Sequence, residues 1–280
     1  MGILCFGEPL IRLSTVAHER LDDARNLEIS YSGAEVVVAT TLAQLGQNVA
    51  FVSVVPENRL GTNAIMNLAR YGIDTARILR SNHRMGLYYS ERGRSIRPTV
   101  VTYDRSDTSM ANAQREDFDW DHILNGVEVF FFSGVVPAIS DEMYHVCIEA
   151  LRACKGRGIK TIMDLNYRET MWSREEALSK IGKLMPLVDE LVASEDDIIS
   201  IEHASVEEPD LFDFCLNWAR VWASKASPQV LDYLVKSDPH SPNEARVNAA
   251  LSHIDAWSKA FNGKKGDKLF LPKNKRAHIW

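Results

Sequence analysis

Tyr103 and Arg105 stand two residues apart in Val101-Thr102-Tyr103-Asp104-Arg105, so strand alternation would put both on one face. An aromatic ring beside a planar guanidinium suits an acidic sugar: the ring covers the carbon skeleton and the fork donates to the carboxylate. Tyr88 lies in the neighbouring strand-like segment, Met85 to Glu91. The same residues would also fit an exposed strand with ordinary cross-strand pairs. A second place for chemistry is Ser32-Gly33-Ala34-Glu35, where small residues at a helix start let free backbone N–H groups approach a polyol or an anion. A third is Asp164-Leu165-Asn166-Tyr167-Arg168, because polar groups at the end of a buried strand are costly unless they meet a ligand or one another.

The elements that must position these residues follow from apolar runs and their punctuation. Residues 3–7, Asn48 to Val55, Val127 to Phe132, Thr161 to Met163 and Glu190 to Val192 read as strands. Between them lie helical stretches: Val36 to Leu45 closed by Gly46, Gly61 to Tyr71 stopped by Gly72, a Ser140-capped helix to about Lys155, and Glu175 to Met185. Such alternation predicts an α/β fold with a parallel sheet covered by helices on both faces. Met85 to Glu91 and Thr99 to Tyr103 interrupt it and predict a small β layer beside the sheet. Ligands in such folds sit beyond the strand carboxyl ends, which is where Asp164 falls.

The rhythm stops after Glu202. Helical stretches follow at about 208–225, 228–236 and 253–261, with the proline-rich Ser237-Asp238-Pro239-His240-Ser241-Pro242 between them. Two parts are therefore expected, 1–202 and 203–280. A net charge of -6 with no dominant basic face argues against nucleic acid or an anionic membrane as partner. No signal peptide or membrane-length apolar run is visible, and Cys5, Cys147, Cys154 and Cys215 lack C-x-x-C spacing. Buried reduced thiols and a cytoplasmic address are expected.

Gly7-Glu8-Pro9-Leu10-Ile11-Arg12-Leu13-Ser14, Gly33-Ala34-Glu35, Gly86-Leu87-Tyr88, Val101 to Arg105 and Asp164 to Arg168 together resemble the PfkB (ribokinase-like) carbohydrate kinases, in particular the 2-keto-3-deoxygluconate kinase branch. The resemblance covers about residues 1–202. It implies an incomplete ribokinase-like doubly wound sheet with a small β lid, followed by a mostly helical C-terminal segment. It further implies ATP and Mg²⁺ as phosphoryl donor and metal, a small sugar acid as partner, and pairing of two copies through the lid. By the same resemblance Gly33, Ala34, Tyr88, Tyr103, Arg105 and Arg168 contact the sugar acid.

The chain also departs from that family. Ser32 stands where the first of two glycines is usual, and Val37 where an Asn is usual. Ser194 stands where the family has an Asn that helps place metal and phosphates, while the acid three residues on is kept as Asp197, so half of that pair survives. A Gly-Ala-Gly-Asp segment, whose glycines hold developing phosphate charge and whose Asp deprotonates the sugar hydroxyl, does not occur in these residues. No catalytic residue is therefore assigned. The expected function is a sugar-acid kinase-like protein with little or no turnover, or a non-catalytic sugar-acid-binding or interaction protein, or a fusion without function.

Residues 210–280 have a resemblance of their own. Trp218 to Trp222, Ser237 to Pro242, Arg246-Val247-Asn248 and the terminal Arg276-Ala277-His278-Ile279-Trp280 are similar to the C-terminus of the neprilysin-like M13 zinc peptidases. That resemblance implies oxyanion and substrate contacts for His240 and Arg246. A zinc site needs two His four apart on a helix with a Glu between. The one His-Glu pair, His18-Glu19, has Asp22 where the second His belongs, so no zinc is expected.

Overall fold

A computed structural model describes residues 2–202. The expectations for 203–280, among them the further helices, Cys215, His240 and Arg246, lie outside the described residues. In chain order the first elements are β1 (Gly2–Phe6), β2 (Leu10–Thr15), β3 (Leu27–Ser32), α1 (Ala34–Gln44), β4 (Val49–Pro56), α2 (Arg59–Ala69) and β5 (Ile78–Ser81). Next come β6 (Leu87–Glu91), β7 (Val100–Asp104), α3 (Trp120–Ile123), β8 (Val127–Ser133), α4 (Val135–Ala138) and α5 (Asp141–Gly156). The last are β9 (Lys160–Asp164), α6 (Arg174–Leu184), β10 (Glu190–Val192) and α7 (Glu195–Glu202).

The apolar runs become the strands of a six-stranded sheet in the order β10-β9-β8-β1-β4-β5, and every pairing in it is parallel. Both faces are covered, so β1 and β4 bury nearly every side chain and read as continuous rather than alternating apolar segments. The chain builds outward from β1 to β5 on one side, then returns to β8 on the other. The reversal between β1 and β8 is the switch point, and strand carboxyl ends splay there to leave a crevice.

Helices that cover the sheet begin at polar caps. Ser140 Oγ accepts from the Met143 N–H and Ser173 Oγ from the Glu176 N–H, each satisfying a donor that the first helical turn leaves free. Asn58 accepts from Leu60 and Gly61 in the same way. Along α5, Met143, Val146, Cys147, Ala150, Leu151 and Cys154 recur at helical spacing and are all buried. Cys5, Cys147 and Cys154 are free, buried thiols, and burial raises all three thiol pKa values. Under the sheet, Phe6, Phe118, Trp120 and Phe130 form an edge-on and stacked aromatic cluster with centroids 5.4–6.0 Å apart.

The β layer is larger than residues 85–103 alone suggest. Sequence reading places no strand between residues 8 and 32, yet β2 and β3 form there and complete a four-stranded lid in the order β3-β2-β6-β7. These strands escape recognition because neither alternates: β2 is buried at both ends with a half-buried middle, and β3 runs from half-buried to exposed and back, so the period-two pattern of a half-buried strand is missing. β5 is likewise unanticipated, since a four-residue edge strand carries too little pattern. Among the described residues, no helix is long and apolar enough to cross a membrane.

Candidate functional site

The carboxyl end of β1 delivers Gly7 and Glu8, and the chain then turns into the lid. It returns from the lid through Arg105 and Thr108. Glu8 latches the two crossings together: one carboxylate oxygen pairs with the Arg105 guanidinium, and the other accepts from Thr108 Oγ at 2.6 Å. Glu8 is only 5% exposed, so this carboxylate depends on those donors. The Glu8 carbonyl also explains the small residue at the start of α1. A Cβ on Gly33 would stand 2.6 Å from that oxygen, too close for any side chain. Gly33→Ala is expected to destabilise the fold by about 1–3 kcal/mol, as overpacking against immobile backbone does, read as a lowered urea midpoint.

Glu35, in the first turn of α1, is buried against the switch point. Its carboxylate accepts from the Ser133 N–H at 3.2 Å and from Ser133 Oγ at 2.5 Å, tying α1 to the end of β8. Gly7 leaves the space this carboxylate fills, since a Cβ there would collide with it. Burial raises the Glu35 pKa, and the Ser133 hydroxyl and the Arg105 charge work against that rise.

β9 ends one strand further along, with Asp164 registered against Ser133. The Asp164 carboxyl is pushed up to about 7, first by burial and then by the negative charges of Asp197 and Glu35, while Asn166 N–H and Arg168 oppose the rise. Asn166, buried at 8% exposure, takes a positive φ of 37°, a conformation that Asn tolerates better than most residues. This turn releases the chain toward Tyr167, Arg168 and Met171. Arg168 is exposed and, among the described residues, makes a long contact of 3.5 Å to the Tyr167 carbonyl.

On the lid, register places Tyr88 directly opposite Tyr103, and their rings lie 5.4 Å apart. The Arg105 guanidinium sits 6.0 Å from the Tyr103 ring, so the shared face expected from spacing is present. Its Nη1 also reaches Met171 Sδ at 3.7 Å, so the loop after β9 meets the residues that return from the lid. Arg105 thus links the tyrosine pair to Glu8 beyond β1 and to Met171 beyond β9, Gly33 lies against the Glu8 carbonyl with Ala34 next in the chain, and Arg168 stands on the loop after β9. Residue patterns alone singled out neither Ser133 nor Thr108, and included Glu8 and Glu35 only as members of longer motifs, without a role. An acid directly after a strand-ending glycine was the available signal for Glu8, and nothing local marks its partners.

Ser194 and Asp197 satisfy each other at the start of α7. Ser194 Oγ accepts from the Asp197 N–H at 3.0 Å, as a helix N-cap does, and donates to Asp197 Oδ2 at 2.7 Å. Among the described residues, no group of three or more His, Cys, Asp or Glu could hold a metal ion.

The described residues form a doubly wound parallel sheet with a four-stranded β lid. The profile of the pfkB family carbohydrate kinases matches residues 2–211, and the chain belongs to that family. A 2-dehydro-3-deoxygalactonokinase of Haloferax volcanii is 36% identical over 209 residues, covering 75% of this chain. The chain spans 65% of that relative's length, less than two thirds. The crystal structure of a 2-dehydro-3-deoxygluconokinase from Thermotoga maritima superposes with a TM-score of 0.75 at 38% identity, covering 80% of this chain and 69% of that one. A sugar kinase from Pyrococcus horikoshii, solved in complex with ATP, superposes with a TM-score of 0.64 at 25% identity, covering 73% and 67%. A second profile, peptidase family M13, matches residues 191–277, most of which lie outside the described residues.

Proposed function

We propose that residues 1–202 bind a six-carbon 2-keto-3-deoxy sugar acid between the lid and the switch point. In this reading Gly33, Ala34, Tyr88, Tyr103, Arg105 and Arg168 form the contacts. The observation that carries the reading is the Tyr88–Tyr103 ring pair with a guanidinium beside it, on the face that meets the loop after β9. Rings of this kind cover a carbon skeleton, and the arginines and the α1 N-terminus supply donors for an acid. Relatives named as kinases of dehydro-deoxy sugar acids support the choice of substrate.

The reaction class is phosphoryl transfer from ATP with Mg²⁺ to a sugar hydroxyl. These 280 residues contain no Gly-Ala-Gly-Asp segment, so binding without appreciable turnover is the outcome we expect of this polypeptide. Residues 203–280 are a separate, M13-like part in this proposal, without zinc. Three free buried thiols fit a reducing, cytoplasmic setting. Ile29 and Val100 are exposed at 66% and 48% on the lid face opposite the tyrosines, which supports pairing of two copies there.

The test is purified full chain with 2-keto-3-deoxygluconate, with and without ATP and Mg²⁺, following both heat released on binding and ADP formed. Saturable binding of the acid with no ADP above background is expected. Turnover at ordinary kinase rates would sink the non-catalytic reading, and absence of any binding would sink the sugar-acid reading.

A further inference from the structure

The connection from β6 to β7, Arg92-Gly93-Arg94-Ser95-Ile96-Arg97-Pro98-Thr99, lies outside the sugar contacts proposed above. Its tip is a tight turn: the Arg97 N–H donates to the Arg94 carbonyl at 3.1 Å, which sets Ser95 at the corner with a positive φ of 56°. Ser95 is exposed, and Ile96 beside it is 99% exposed. Arg92 and Arg94 stand three residues and one residue before Ser95. Arginines placed ahead of a hydroxyl are what the acidic clefts of arginine-directed protein kinases read, through charge-assisted hydrogen bonds. Thr15, Thr62 and Thr108 also have an arginine three residues before them. Thr15 and Thr108 are buried at 0% and 1% exposure. Thr62 lies within α2, its hydroxyl donating to the Asn58 carbonyl at 3.2 Å. Of the four, Ser95 is the one on an exposed loop tip, where modifying enzymes gain access to a chain. The turn also holds something that a new charge could disturb. Arg97 donates to Glu91 Oε1 and to the His18 carbonyl, both at 2.6 Å, and Glu91 Oε2 accepts from the Leu21 N–H at 3.0 Å. This one ion pair ties residues 16–26, the connection from β2 to β3, to the end of β6.

We propose that Ser95 is a phosphorylation site for a separate, arginine-directed serine/threonine kinase, and that the added phosphate takes Arg97 from Glu91. In the transfer, Ser95 Oγ attacks the γ-phosphorus of ATP held by that kinase. The new O–P bond forms as the bond to the β–γ bridging oxygen breaks, ADP leaves, and the hydroxyl proton passes to the base of the kinase. The product carries nearly two negative charges and three acceptor oxygens, set among Arg92, Arg94 and Arg97 in the chain. The Glu91 carboxylate carries a single charge, so the exchange of partners favours the phosphate. Arg97 then releases the His18 carbonyl, and residues 16–26 loosen. A turn that is merely a solvated basic tip predicts neither a preference for Ser95 nor an effect on residues 16–26.

The test incubates the full chain with ATP, Mg²⁺ and the catalytic domain of an arginine-directed serine/threonine kinase, and locates phosphate by peptide mass. One phosphate at Ser95 is expected, absent from Ser95→Ala and absent without the added kinase. Ser95→Gly suits the positive φ and takes the place of Ser95→Ala should that variant fail to fold. Arg92→Gln should slow incorporation by about 10- to 100-fold, the strength of one charge-assisted hydrogen bond. Hydrogen exchange reads the second half of the proposal. The Leu21 amide should exchange about 10-fold faster in the phosphorylated protein, as the loss of one hydrogen bond allows. Arg97→Gln should show the same acceleration without phosphate, and phosphorylation should add nothing to it. Incorporation without the added kinase, at another residue or not at all, or at an unchanged rate in Arg92→Gln, overturns the site. Phosphate on Ser95 with unaltered exchange at Leu21 keeps the site and overturns the capture of Arg97.

Discussion

Replacing Glu8 with Ala is expected to cost about 3–5 kcal/mol of folding stability, the largest single loss in the described part of the chain. The carboxylate is buried and serves two partners, the Arg105 guanidinium and the Thr108 hydroxyl. Removing it leaves a guanidinium whose side chain is 16% exposed without its counter-charge, and an uncompensated buried charge costs more than the pair contributes when intact. For a domain of this size the loss corresponds to a fall on the order of 10 °C in the melting midpoint. The effect should extend beyond stability, because Glu8 joins the strand leaving for the lid to the segment coming back. Glu8→Gln keeps the volume and an acceptor for Thr108 but still strands Arg105, so it should lie between wild type and Glu8→Ala. A double variant, Glu8→Ala with Arg105→Met, should recover part of the loss. Urea unfolding of wild type, Glu8→Ala, Arg105→Met and the double variant measures the coupling directly. A single Glu8→Ala variant within 1 kcal/mol of wild type, by the ordinary scatter of surface substitutions, would show that the latch is not structural.

Asp164→Asn is expected to stabilise the protein above neutral pH by as much as about 4 kcal/mol, and to do so less as the pH falls. The sign follows from the direction of the shift. Asp164 is raised from its ordinary 3.8 to about 7 in the folded state, so between those values the folded chain holds a proton that the unfolded chain has released. Its contribution favours folding at low pH and is lost as pH rises through about 7. Above that, a buried carboxylate must be charged beside Asp197 and Glu35, which neutral Asn avoids. Because these acids interact, the transition belongs to the cluster more than to one residue. Asp141 and Glu142, held low by Lys180 and Arg115, lose their contributions only under more acidic conditions and are common to both proteins. The measurement is the difference in unfolding free energy between wild type and Asp164→Asn across pH 4 to 9. Parallel profiles would show that Asp164 is not the group that titrates.

Much of the architecture was legible locally. The runs at 3–7, Asn48 to Val55, Val127 to Phe132 and Thr161 to Met163 are apolar because both sheet faces are covered, and such runs announce themselves without tertiary information. Helix starts at Ser140 and stops at Gly46 and Gly72 depend on backbone geometry within a few residues, so they too could be read directly. Tyr103 with Arg105, and Asp164 at a strand end, were visible as residue types in suggestive places. The residues 8–32 were not, since neither β2, buried at both ends, nor β3, exposed in its middle, alternates with period two.

What spacing could not supply was the assignment of partners. Arg105 in isolation is a free fork for an acid; in the fold it belongs to Glu8, which lies 97 residues earlier in the chain. Arg97 is one more basic residue of a turn until the fold sets it against Glu91 and the His18 carbonyl. Asp164 is an ordinary carboxylate until burial beside Asp197 and Glu35 lifts it toward neutrality. Residue types and element order are written along the chain, whereas register, burial and the pairing of charges depend on which distant segments meet, and only the tertiary structure decides that.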